Sequence, residues 1–228
     1  MSDFRPPPRK KNALDEGKLK IIGEPQNGSK RRPTLGWSIV KNHPRIDVWT
    51  NIDGDKNNGN IRAAMDSPTF FVLLTFLKQA IEAEPGFKQA VENMGYTWFQ
   101  NKRSEETKVL STTHIGKDKN GIVYISVVAH DRPKIKFDFR SGIYHKLRNA
   151  DGSDFTKEQD SIAYASAYLG LLSGLVPAVL EGEYVEPPPR DMNGTGGNGG
   201  GGWKGNNNNN SQAPKAAASN DFDDDIPF

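Results

Sequence analysis

The strongest constraint on folding begins at Pro187-Pro188-Pro189. Beyond it the chain runs through Gly196-Gly197, Gly199 to Gly202 and Asn206 to Asn210 with almost no apolar residue. Such a stretch cannot bury enough surface to offset the entropy lost on ordering it. It is expected to be a flexible tether over 185–220. At the other end, 1–18 is a basic, proline-rich arm carrying Arg5, Arg9, Lys10 and Lys11. Any core must therefore come from a body at 19–184, which suffices for one medium domain or two small halves.

Composition removes several functional classes. The chain has no cysteine, which excludes disulfide scaffolds, thiolate metal sites and cysteine nucleophiles. The four histidines, His43, His114, His130 and His145, lack metal-ligand spacing. No glycine loop is followed by the Lys and Ser/Thr of a phosphate site. The run Asp53-Gly54-Asp55-Lys56-Asn57 echoes a calcium loop but lacks its later glutamate, and reads as a hairpin loop. A nuclease would rest on Asp47 with Asp138 alone. The expectation is a non-enzyme with no metal and no cofactor. No apolar run reads as long enough to cross a membrane, and no secretory leader is recognised, so the expected location is the cytoplasm. The net charge is only +2, but residues 1–32 hold nine basic and four acidic side chains, whereas 190–228 hold three and five. A basic arm with an acidic end suits a nucleic-acid binder carrying a separate acidic device.

Within the body, apolar alternation and turn residues predict strands at 19–22, 35–41, 45–51 and 60–65, with a turn at 42–44. A helix is predicted over 70–81, with Ser67 as N-cap and Pro68 in its first turn. Strands are then predicted at 96–100, 108–115, 121–129 and 134–140. Helical segments at 142–147 and 157–180 follow, the second capped by Thr156. The order strands, helix, strands, helix hints at an internal repeat.

The last eight residues are Asp221-Phe222-Asp223-Asp224-Asp225-Ile226-Pro227-Phe228. Phe228 offers an aromatic ring for an apolar pocket, with a terminal carboxylate for a partner's Lys or Arg. Ile226 and Pro227 add apolar contact. Asp221, Phe222, Asp223, Asp224 and Asp225 complete the peptide, its acids steering it toward a basic rim. This ending resembles the acidic C-terminal tip of bacterial single-stranded DNA-binding proteins, and the Gly/Asn tract resembles their linker. The resemblance implies a tip that docks DNA-replication and repair proteins, such as primosomal helicase, exonuclease, recombination mediator and clamp-loader proteins.

Binding single strands requires a positive path for phosphates and flat side chains for base stacking. On 45–51, alternation sets Arg45, Asp47 and Trp49 opposite Ile46 and Val48. On 134–140 it sets Lys134, Lys136 and Arg140 opposite Ile135, Phe137 and Phe139, which belong in the core. Tyr124, Tyr96, Trp98 and Trp37 are further stacking candidates, and Lys102 and Arg103 lie beside Trp98. The element order resembles the Whirly family and the positive-cofactor-4 coactivators. That resemblance implies an α+β fold of antiparallel sheet-plus-helix units in tandem, a ββββα repeat. The alternative, implied by the tip, is an oligonucleotide-binding β-barrel. A bacterial-type tip on an unfamiliar body points to a phage protein that recruits host machinery.

The expected function is coating single-stranded DNA in replication, recombination and repair, with partners recruited through the tip. The alternative is an adaptor that captures host proteins and binds DNA weakly. No membrane partner is expected, and a homo-oligomer is compatible with either reading.

Overall fold

A computed structural model describes residues 11–26, 29, 31–100 and 102–186, the side chains of Trp98 and Phe99 excepted. Most of the basic arm, nearly all of the linker and the whole tip at 221–228 lie outside the described residues.

Four strands, β1 (Ile21–Ile22), β2 (Thr34–Val40), β3 (His43–Trp49) and β4 (Asn60–Ala64), form an antiparallel sheet in that order. Lys41 and Asn42, both at positive φ (49° and 69°), make the two-residue turn between β2 and β3. Left-handed turn residues match the twist of the flanking strands. The turn thus precedes the predicted 42–44, and Pro44 enters β3 opposite Ile39. The predicted strand at 19–22 shrinks to β1, because Gly17–Leu19 forms a 3-10 turn instead.

Helix α1 (Ser67–Glu82) follows, capped by Asp66, which accepts from the Thr69 backbone N–H at 2.6 Å. The cap is one residue earlier than expected, so Ser67 opens the helix and Pro68 sits at its start. At the far end the buried Lys117 ammonium donates to the carbonyls of Ile81 (2.9 Å) and Ala83 (2.7 Å). A cation there satisfies orphan carbonyls and complements the helix dipole.

The second half also consists of an antiparallel sheet followed by a helix. Strands β5 (Lys88–Gly95), β8 (Lys108–Lys117), β9 (Val123–Ala129) and β10 (Ile135–Asp138) form an antiparallel sheet in the order β10-β9-β8-β5. A small hairpin, β6 (Trp98–Phe99) with β7 (Lys102–Arg103), occupies the connection from β5 to β8. Helix α2 (Lys157–Gly182) closes the body, with Thr156 and Gln159 exchanging the reciprocal bonds of a capping box. The fold is α+β, with two open antiparallel sheets, each followed by a helix; no closed barrel forms among the described residues.

Three expectations are corrected. Residues 142–147 are loop, with Ile143 and Tyr144 at 89% and 88% exposure and so without the apolar partners a helix needs. Residues 88–95 form a strand that alternation did not reveal. Helix α2 is long and apolar enough to cross a membrane by length and composition, whereas no such run was expected. In the fold it packs first on α1 and then on β9, β2 and the turn at Ala13–Asp15, burying Ala165, Leu172, Val176 and Val179.

One core joins both halves. Leu35, Ile46, Val48 and Ile61 from the first sheet meet Ile115, Ile125, Val127, Phe137 and Phe139 from the second, with Phe70, Leu73 and Leu77 of α1 between. Helix α1 packs on α2 and on β8, β5 and β3, so of the two sheets it rests mainly against the one that follows it in sequence. Period-2 alternation leaves a second face of each sheet directed away from this core.

Candidate nucleic-acid interface

The sheets approach each other where β4 meets β8 and β9. A buried ionic network ties them there. Arg132, in the loop after β9, donates from Nε and Nη2 to both carboxylate oxygens of Asp55 at 2.8 and 2.9 Å. Its Nη1 donates to the Asn60 carbonyl at 3.0 Å, and the Thr50 hydroxyl donates to Asp55 at 2.6 Å. The two side chains are 5% and 6% exposed. Burial alone would raise the Asp55 pKa, but the bonds from Arg132 and Thr50 and the Arg132 charge outweigh it and hold the carboxyl below its usual range. A bidentate pair satisfied on every side is the form in which a buried ion pair is tolerable.

Above this network lies a cleft of about 840 Å³ between the turn Lys56–Gly59 and β4 on one side and β8 with the end of β9 on the other. Lys56, Arg62, Lys108, His130 and Arg132 line it, together with Asn57, Asn58, Asn60 and Thr97, and among the described residues no carboxylate does. A shallower depression of about 470 Å³ shares Val109, Leu110, Ala129, His130 and Arg132 with it and continues to Thr112, Val128, Asp131 and Lys134. The result is a groove bordered by cations. Its one lining carboxylate among the described residues, Asp131, lies 3.6 Å from Lys56 Nζ with both side chains well exposed, a pair of little energetic weight.

The hairpin β6–β7 rises from the same rim, since Thr97 lines the cleft and Gly95 pairs with Lys108. Beside it the Arg103 guanidinium lies over the Tyr96 ring, 3.4 Å from its centroid. Lys102 is exposed on β7. Trp98 stands on β6 opposite Arg103, and its side chain lies outside what is described. Tyr96, Lys102, Arg103 and Lys134 are thus brought to the groove or its rim.

Other expected contacts lie elsewhere. Trp49 is half-buried at the end of β3, beside Asn60 on β4. Its ring covers Gly36, where an added Cβ would sit 3.2 Å away, and Lys20 Nζ lies 4.7 Å from its centroid. Tyr124 lies likewise across Gly116, with Lys136 Nζ 5.2 Å from its centroid. Lys136 bonds Asp118 (2.6 Å) and Asp138 (3.1 Å), and Arg140 pairs with Glu24 at 2.5 Å; of the groove's own cations, Arg62 lies 3.7 Å from Asp47 and Arg132 is held by Asp55. Arg45 shares the face of Trp49 as alternation required, but it is buried at 6% exposure. Trp37 belongs to the core, edge-on to Phe70 with centroids 6.1 Å apart. It alternates with Ser38, and the inward side of β2 received the ring. Asp47 and Asp138 stand on different sheets, each beside a cation.

The groove's own residues, Lys56, Asn57, Asn58, Arg62, Lys108, His130 and Arg132, escaped the sequence reading because they sit at loop ends and strand edges, where alternation carries no signal. The Lys-Asn-Asn-Gly run was the one usable cue, since Asn and Gly favour left-handed turns. No family model matches the chain, no curated protein matches it, and no solved structure matches it.

Proposed function

We propose that this chain is a single-stranded DNA-binding protein of Whirly-like architecture whose tip, Asp221 to Phe228, docks replication and repair proteins. The observation that carries the reading is the groove bordered by Lys56, Arg62, Lys108 and Lys134, with the Tyr96–Arg103 hairpin at its rim. Phosphates need a continuous run of donors, and bases need flat faces beside it. The repeated order of four main strands followed by a helix supports the Whirly-like assignment. The acidic, Phe-ended tip supports recruitment, and with it a role in replication, recombination and repair in a phage-infected bacterial cell.

Tryptophan fluorescence during titration with unlabelled poly-dT, against a duplex control, tests the reading. Quenching by the single strand alone is expected, with affinity falling as salt rises. No quenching and no complex in a gel shift would move the weight to the adaptor alternative. Deleting 221–228 is expected to abolish capture of a tip-binding helicase and to leave DNA affinity intact or stronger.

A further inference from the structure

The ten residues 50–59 that join β3 to β4 contain an unusual backbone. Asn57, Asn58 and Gly59 are successively left-handed, at φ 52°, 52° and 77°. Asparagine tolerates this region better than most residues, but two in a row remain unfavourable. At Lys41–Asn42 the same conformation closes a two-residue hairpin; here the longer connection makes no such demand. The turn is nevertheless held firmly. The Thr50 N–H donates to the Gly59 carbonyl at 2.8 Å, and Arg132 holds the Asn60 carbonyl. A Cβ on Gly59 would sit 2.9 Å from the Thr50 hydroxyl, so the position requires glycine twice over. Backbone strain held in place by its surroundings concentrates at functional sites.

The turn sets two exposed carboxamides on the cleft, and neither makes a hydrogen bond within the described residues. Their chemistry differs from that of the cleft's cations, and the cleft's third carboxamide, on Asn60, already accepts from Arg62 Nε at 3.0 Å. Lys56, Arg62 and Lys108 offer donors only, which is all a phosphate needs. A carboxamide places an acceptor beside a donor. Every base carries such a pair on its Watson–Crick edge: an amino group beside a ring nitrogen in adenine and cytosine, a carbonyl beside a ring N–H in guanine and thymine. A carboxamide turned by half a rotation matches either order. In a duplex that edge is already occupied by the opposite base.

We propose that Asn57 and Asn58 read the unpaired Watson–Crick edges of any base, so that the cleft selects single strands over duplex with little sequence preference. This rests on the DNA-binding reading above and assigns the source of its selectivity. The test uses the full chain and its Asn57→Gly/Asn58→Gly variant, since glycine keeps the left-handed turn without the carboxamides; circular dichroism and a melting curve check the fold. Fluorescence anisotropy is measured with four labelled probes of equal length: oligo-dT, oligo-dT methylated at thymine N3, an abasic strand and a duplex. The wild type is expected to bind oligo-dT roughly tenfold tighter than the N3-methylated strand, which keeps its stacking faces. The variant is expected to lose that preference and bind the abasic strand and duplex as the wild type does. A variant that keeps the preference overturns the proposal while single-strand binding stands. Equal losses on oligo-dT and the abasic strand also overturn it, since the turn would then hold the backbone. A wild type that binds no strand removes both readings.

Discussion

Replacing Arg132 with methionine isolates the contact that ties the two halves together beneath the groove. Methionine keeps most of the length and apolar stem but removes the guanidinium. Asp55, 6% exposed, would keep only the Thr50 hydroxyl and a neighbouring backbone N–H against a buried charge. Removing one partner of a buried pair costs about 3–5 kcal/mol. Each kcal/mol moves the melting temperature of a chain this size by about 2–4 °C, so a drop on the order of 10 °C is expected. Urea unfolding at neutral pH measures the same loss as a lower midpoint at unchanged slope. The Asp55→Asn/Arg132→Met double variant removes the stranded charge and is expected to recover a substantial part of it. A loss below about 1 kcal/mol in Arg132→Met, or a double variant no more stable than the single one, would refute the reasoning.

Trp37→Ala is expected to cost about 3–5 kcal/mol of stability as a core truncation; Trp49→Ala should cost less, and paired urea melts measure the difference. Asp55 and Asp118 are both held below the ordinary carboxylate range, Asp118 because bonds from Lys136 and two backbone N–H groups outweigh its burial. The stability they contribute is present above their unfolded pKa of 3.8 and is lost as pH falls through their folded values. Acid titration should therefore show a steep loss below that pH, shallower in Arg132→Met. Burial, reinforced by Lys88 and Lys134 against Glu92, holds His114 below 6.5; its folded state resists protonation, so stability should decline as pH drops below 6.5 and His114→Gln should flatten that segment of the pH–midpoint curve.

Much of the fold was legible because local signals and burial agree. The helices announced themselves through Pro68 and Thr156, and Ile46–Val48 and Phe137–Phe139 alternate cleanly into the core. Strand β5 was missed because it lies at a sheet edge with most of its residues exposed, so Lys88, Gln89, Ala90 and Glu92 show no period of two. Two tryptophans on neighbouring strands were indistinguishable in sequence, yet Trp37 points to α1 and Trp49 away from the core. That choice depends on where a helix lands. The groove was the least legible part, because its foundation joins Asp55 to Arg132 across 77 residues. The carboxylates that engage Lys136 and Arg140, Asp118 and Glu24, come from segments distant in sequence, so these pairings were not legible.

The most direct test of groove binding is fluorescence anisotropy of a labelled oligo-dT with the full chain and its Lys56→Gln/Arg62→Gln/Lys108→Gln variant, measured across a series of salt concentrations. Each phosphate contact removed lowers the slope of log affinity against log salt by about 0.7 for a single strand. The wild type should bind with a steep salt dependence, and the variant should bind more weakly with a slope reduced by about two. Equal affinity and equal slope in the two proteins would place the strand elsewhere on the molecule and contradict the groove.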